Sequence, residues 1–236
     1  MNIPLSLRSS TFRSAWSLAL PIVFGYLPIG FAFGILAIQS GISAANALAM
    51  SLLVYAGSAQ LIAVSLFAAG VSPLSIILTT FVVNLRHLLM SAALSPYLHS
   101  WPRALIPIFA HEITDESFGV HSVRFPEAGA KPGEAIAINI ISQAGWVTGT
   151  ALGIFAGDMV QNVEPFGLDY ALVAMFVALL VFQLKNRGTL AVAVLAGLLS
   201  TALLAAGVSQ WNIIIATLIG ATLGVLFELW TKTKSS

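Results

Sequence analysis

The sequence predicts an all-α, polytopic integral membrane protein of about eight transmembrane helices, with a broken first helix, a polar fourth segment and both termini cytoplasmic. Three observations carry that prediction. Hydrophobic residues fill 58% of the 236 positions and charged residues only 8%, against roughly 25% charged in an ordinary soluble domain. Apolar blocks of about 20 residues, the length a helix needs to cross the hydrocarbon core, recur from end to end. The few loop lysines and arginines collect on one side of the resulting topology, as cytoplasmic loops do.

The blocks read as spans at 16–38, 44–69, 74–95, 104–123, 136–157, 167–184, 188–206 and 210–230. They leave no room for a soluble domain, so residues 1–236 are expected to form a single transmembrane domain. Arg8 and Arg13 ahead of an apolar run resemble a signal peptide. The run from Trp16 to Ile38 is too long for one, is interrupted by Pro21 and Pro28, and lacks an A-x-A-like end, so it reads as a retained first helix. Short connections carry turn residues: Ser40-Gly41, Gly70-Val71-Ser72-Pro73 and Lys131-Pro132-Gly133. No internal repeat is evident at the level of residues. The absence of cysteine excludes disulfides and thiolate metal sites. A net charge of +1 argues neither for nor against nucleic acid; the expected surroundings are a lipid bilayer, and nucleic acid is not an expected partner.

The fourth span is the doubtful one by hydropathy, because HEITDES (111–117) lies in its middle. Charge placement arbitrates. With eight spans and a cytoplasmic N-terminus, Arg8, Arg13, Arg124, Lys131, Lys185, Arg187, Lys232 and Lys234 all fall inside and only Arg103 outside. Were the fourth segment not to change side, only Arg8 and Arg13 would remain inside. The segment is therefore expected to cross or to make an equivalent re-entrant change of side.

The third span contains NLRHLLMS. A charge near the bilayer centre costs about 2.5–3.5 kcal/mol even on the lenient insertion scale, so Arg86 calls for a partner or a water-filled cavity. Thr80, Asn84, His87 and Ser91 share one helical stripe and Arg86 lies on the adjacent face. The segment best able to answer the charge is the fourth, where Glu112, Asp115 and Glu116 share a face. A pair between Arg86 and Asp115 or Glu116 is expected; its structural alternative is a pin between two helices. Either way, spare carboxylates and His87 are left over.

HEITD approaches the metalloprotease pattern H-E-x-x-H, but Asp115 stands where the second imidazole belongs. No metal and no cofactor are expected. Gly57-Ser58 beside His87 invites a nucleophile reading, yet Ser next to Gly in a membrane helix is more often a close-packing device. No enzyme is expected.

In the first span, PIVFGYLPIGFAFG (21–34), Pro28 removes an amide donor and frees the carbonyl of Phe24, while Gly25 and Gly30 relax the backbone. That pattern predicts a broken helix of the kind whose ends hold charged substrate groups in transporters. The alternative is a proline kink with a packing contact at Gly30 and Gly34. Gln60, Asn139, Gln143 and Trp146 add hydrogen-bonding groups, each separately explained as helix glue. Together they outline a polar interior surrounded by Phe24, Tyr26, Phe31 and Phe33.

GYLPIGFAFG, YAGSAQ, NLRHLLMS, TDESF and GWVTGTALG, in that order, resemble the AzlC-type branched-chain amino-acid permease family. The similarity runs from about Leu18 to Gly157 and continues through GLDYA at 167–171; the last two spans are merely hydrophobic. The resemblance implies export of branched-chain amino acids or their analogues across a bacterial inner membrane, in complex with a small AzlD-like membrane subunit. It brings no residue-level mechanism, so the site is read from the chain itself.

A zwitterionic substrate needs an acceptor for its ammonium, a donor for its carboxylate and an apolar pocket. The expected ammonium receptor is the loosened backbone from Gly25 through Pro28 to Gly30 with Asp115 or Glu116. Arg86 or a half-helix N-terminus is the expected carboxylate receptor, with Phe24, Phe31 and Phe33 as walls and Gln60, Asn84, Asn139 and Gln143 as further polar contacts. Burial raises the proton affinity of an acid, which makes His87, Glu112, Asp115 and Glu116 candidates for proton coupling. The alternative function is a non-transporting scaffold or regulatory membrane subunit, whose polar groups serve assembly only.

Overall fold

The computed structural model describes residues 5–157 and 187–208, together with 177, 180–181, 184, 215–216, 218–220 and 222–226. The chain divides into two compact units, Met1–Leu172 and Val173–Ser236. The described residues are helical, without strands. Among the described residues, four helices are long and apolar enough to cross a membrane: Thr11–Gln39, Pro73–Tyr97, Pro132–Gly157 and Arg187–Ala205. The expected spans at 167–184 and 210–230 lie largely outside the described residues.

In the first unit, α1 (Leu5–Gln39) and α7 (Pro132–Gly157) form the spine. The reason is a ladder of glycines at every fourth position of α7, Gly145, Gly149, Gly153 and Gly157, facing Val23, Leu27, Phe31 and Ile38 of α1. Gly30 and Gly34 answer from α1: a Cβ at Gly30 would sit 2.7 Å from the Trp146 carbonyl oxygen. Small residues at this spacing let two backbones approach where lipid offers no hydrophobic drive. Contacts advance together along both chains, so the two helices are parallel.

The first helix is not broken. The expectation of a break at Pro28 is corrected by a continuous α1 that contains both Pro21 and Pro28. Both prolines lie on the exposed face. The glycine seam clamps α1 to α7 over most of its length, so tertiary packing holds the helix across the lost amide bonds.

The breaks fall elsewhere. The second span divides into α2 (Ala44–Ala49) with a π-helical extension (Met50–Val54), then α3 (Gly57–Ala68). Tyr55 between them is left-handed at φ 43°, the one non-glycine positive φ among the described residues, a conformation that costs of order 1–3 kcal/mol and persists only when its surroundings enforce it. Those surroundings are identifiable. Gly57 lies against the Trp146 ring, which a Cβ would meet at 2.9 Å. Gln60 replaces the missing helix bond, its Oε1 accepting from the Ala56 amide at 3.2 Å and its Nε2 donating to Ser51 Oγ at 3.2 Å. Ser51 in turn meets Thr150 Oγ1 of α7 at 2.8 Å.

α4 (Pro73–Leu94) starts with Ser72 as its cap and Pro73 in its first turn. It exposes Leu74, Ile77, Phe81, Leu85, Leu88 and Leu89, an apolar surface suited to lipid. A 3₁₀ turn (Ser95–Tyr97) follows. The fourth span is also divided, into α5 (Leu105–His111) and α6 (Asp115–Ala128). Thr114 caps α6 through a reciprocal pair with Ser117: Thr114 Oγ1 accepts the Ser117 amide, and Ser117 Oγ accepts the Thr114 amide at 2.9 Å. The polarity of HEITDES is thus the polarity of a helix start inside a span.

In the second unit, α8 (Arg187–Ala205) ends at Gly207, φ 86°, with Val208 N–H bonded to Leu203. Gly220 faces Ala196 and Gly224 faces Val192, so these contacts run in opposite directions along the chain.

Candidate functional site

The two broken segments meet at Arg86. One guanidinium nitrogen, Nη1, lies 2.6 Å from Asp115 Oδ2, and Nη2 donates to Ser58 Oγ. Asp115 is the first residue of α6 and Ser58 the second of α3, so a single cation on α4 joins the starts of both inner half-helices. The side chains of Arg86 and Asp115 keep 27% and 22% exposure. The pair is reachable rather than sealed.

Tyr26 joins the same centre from α1. Its hydroxyl donates to Glu116 Oε2 at 2.5 Å and lies 2.7 Å from Thr114 Oγ1. Its ring meets Tyr55 edge-on at 6.3 Å and Trp146 edge-on at 5.6 Å, and Phe33 stacks on Trp146 at 6.0 Å. Tyr26 therefore links this aromatic group to the carboxylate of Glu116. Several buried polar atoms of these segments lack a hydrogen-bond partner: Glu112 Oε2, Asn84 Oδ1, Arg86 Nε and Trp146 Nε1.

The sequence-derived residues are distributed unevenly. Arg86, Asp115 and Glu116 come together, and the expected Arg86–Asp115 pair is formed. Glu112 closes α5 as its C-cap. His87 bonds through Nδ1 to the Asn84 carbonyl of its own helix, 3.1 Å away. Gln60 is committed to the break in the second span, and Gln143 donates to the Leu52 carbonyl at 3.1 Å. Phe24 is 67% exposed, and Gly25 and Pro28 lie on the same outward side; Gly30 and the Phe31 backbone belong to the seam.

Asn139 belongs to a separate polar cluster, where its Oδ1 meets His121 Nε2 at 2.8 Å. His121 stacks on Phe125. Nearby on the same helices, Glu134 accepts from Ser14 Oγ at 2.6 Å and from Arg124 at 3.1 Å.

Tyr55, Thr114 and the capping role of Ser117 were missed by reasoning from sequence. For Thr114 a signal existed, because T-D-E-S places a capping hydroxyl three residues before its partner. For Tyr55 none did, because a left-handed tyrosine is enforced by neighbours distant in the chain.

Long apolar helices, with two of the segments divided inside their spans, define a multi-pass membrane protein. The family model described as AzlC protein matches residues 21–160. Over 228 residues, 94% of this chain and 91% of the relative, the sequence is 31% identical to the inner membrane protein YgaZ of Escherichia coli. It is 33% identical to an uncharacterized membrane protein of Archaeoglobus fulgidus, covering 92% and 95%. It is 31% identical to the branched-chain amino acid transport protein AzlC of Bacillus subtilis, covering 74% and 68%. No solved structure matches. The chain belongs to the AzlC family, and it is a multi-pass inner-membrane protein.

Proposed function

We propose that this chain is a permease that exports branched-chain amino acids or their analogues from the bacterial cytoplasm, as the large subunit beside a small AzlD-like membrane partner. The observation that carries the reading is the meeting of two half-helix N-termini, α3 and α6, at the single cation Arg86. Helix N-termini present unpaired amides and a positive dipole end to an anion, and discontinuous helices with this arrangement hold substrate carboxylates in known transporters. Arg86 receives the carboxylate by exchanging Asp115 for substrate, so loading and pairing alternate. The name of the Bacillus relative supports the choice of substrate.

The topology belongs to the same proposal: eight membrane-embedded segments with both termini cytoplasmic. The parallel run of α1 and α7 supports it, because the chain between them must then cross the membrane an odd number of times, as it does when the second, third and fourth segments all change side or when the third alone does. His87 and Glu116 are the groups proposed for proton coupling. Transport unaffected by a pH gradient across the vesicle would exclude that role.

Counterflow of radiolabelled valine, leucine and methionine in proteoliposomes, with and without the small partner, tests the function. Saturable exchange of one of them is expected. A chain that moves none in either preparation is the scaffold alternative, in which Arg86→Ala weakens partner binding instead of turnover.

A further inference from the structure

The two ends of the fourth segment lie together. Trp101, ahead of α5, donates its ring N–H to the carbonyl of Ala130, beyond α6, at 2.8 Å, and the Tyr97 and Phe125 rings are 5.9 Å apart. Between these ends, Phe109 of α5 faces His121 and Phe125 of α6 at 5.1 and 5.9 Å, so the limbs run antiparallel. A full crossing would instead separate Trp101 from Ala130 by the roughly 30 Å of the hydrocarbon core. At 1.5 Å per residue, α5 is about 10 Å long and α6 about 21 Å. Neither limb reaches across.

α6 runs back along α7 to the start of that helix, where His121 meets Asn139 at 2.8 Å and Arg124 meets Glu134 at 3.1 Å. Ser14 of α1 meets the same Glu134 at 2.6 Å. The beginnings of α1 and α7 and both ends of the fourth segment therefore share one face of the membrane.

The direction of α4 then fixes the second segment. α4 ends just before Tyr97, on that shared face, and its 22 residues, about 33 Å of helix, carry its start at Pro73 to the opposite face. α1 also ends on the opposite face, at Gln39. The second segment thus leaves one face and returns to it. Its limbs, Ala44–Val54 and Gly57–Ala68, are each about half as long as the core is thick. They touch as the limbs of a hairpin do, Gln60 Nε2 donating to Ser51 Oγ at 3.2 Å.

We infer that the second and fourth segments are re-entrant hairpins that enter the membrane from opposite faces and meet at Arg86, so that within residues 1–157 only α1, α4 and α7 cross. The turns of both hairpins are buried at Ala56, Ile113 and Thr114, as non-helical backbone at membrane depth has to be. Arg86 holds the helix that follows each turn, through Ser58 and Asp115, and Tyr26 holds the second turn at Thr114. The positive N-terminal ends of α3 and α6 accordingly converge from opposite faces. Access to Arg86 is bounded by α5–α6 on one side and by α2–α3 on the other.

The charges agree. Every lysine and arginine of residues 1–157 except Arg86, namely Arg8, Arg13, Arg103, Arg124 and Lys131, now lies on one face, the cytoplasmic one by the bias of loops there. Arg103 is no longer an exception.

Ala69→Cys and His99→Cys test the arrangement in intact cells with a membrane-impermeant maleimide, with Ser43→Cys and Lys131→Cys as references for the two faces. Ala69→Cys is expected to react from the face of Ser43→Cys, and His99→Cys from the face of Lys131→Cys. Ala69→Cys reacting with the Lys131→Cys face, or His99→Cys with the Ser43→Cys face, overturns the inference. Spin labels on the purified double variant His99→Cys with Lys131→Cys give a second measurement, independent of labelling in cells. A separation well below the roughly 30 Å of the core is expected; one equal to it or longer overturns the hairpin in the fourth segment.

Discussion

Arg86 and Asp115 meet at 2.6 Å from different helices, one in the interior of α4 and the other at the first position of α6. The contact joins a continuous helix to a divided one, and the second terminal guanidinium nitrogen, Nη2, extends the connection to Ser58 in the other divided span.

Removing one member of this pair leaves an uncompensated charge in the membrane. Arg86→Gln is expected to destabilise the protein by about 3 kcal/mol, read as an earlier thermal transition in detergent. The double variant Arg86→Gln with Asp115→Asn recovers most of that loss without restoring transport. A double variant no more stable than Arg86→Gln would show that the two side chains are not coupled.

Gly153→Ala places a methyl group on the carbonyl of Phe31 and is expected to cost about 1–3 kcal/mol through overpacking. Gly25→Ala has open space around its Cβ and is expected to be neutral or slightly stabilising. Equal behaviour of the two in thermal unfolding would contradict the glycine seam.

Gln60→Leu keeps roughly the volume and removes both polar contacts across the break in the second span. Leaving the Ala56 amide buried and unbonded costs about 1–3 kcal/mol. Faster hydrogen exchange at Ala56 and Gly57 is the local signature; exchange as slow as in the wild type would assign the break to other contacts.

Since the natural chain has no cysteine, single introduced cysteines report topology against a silent background. Ser100→Cys and Lys131→Cys are expected to label from the cytoplasmic side, and Ser43→Cys and Ser72→Cys from the opposite side. Labelling of Ser43→Cys and Lys131→Cys from the same face would refute the odd number of crossings between α1 and α7.

The third and fourth segments were legible in the sequence because cost speaks locally there. An arginine amid leucines needs a carboxylate, and TDES is the nearest polar supply. The first helix was misread because proline and glycine report only the local backbone preference, whereas α1 is held by a helix more than a hundred residues downstream. The break in the second span was illegible for the converse reason. YAGSAQ contains no proline, and its interruption is imposed by Trp146 against Gly57 and by the Gln60 side chain. Gln60 was expected to meet substrate and instead meets its own backbone, since an amide and a free helix end look alike to sequence until one knows they are neighbours.

The glycine seam also dictates an order of assembly. Ser14 of α1 finds Glu134 of α7 across a separation of 120 residues, so during synthesis the first helix must wait in the bilayer with its small-residue stripe bare for about 10 s at ordinary ribosomal speed. Throughout that interval α2 to α6 are delivered beside an unfinished partner. A nascent chain stalled before Gly145 is therefore a distinct biogenesis intermediate, one whose exposed stripe a membrane quality-control protease or insertion chaperone would meet before the protein has any centre to bind a substrate.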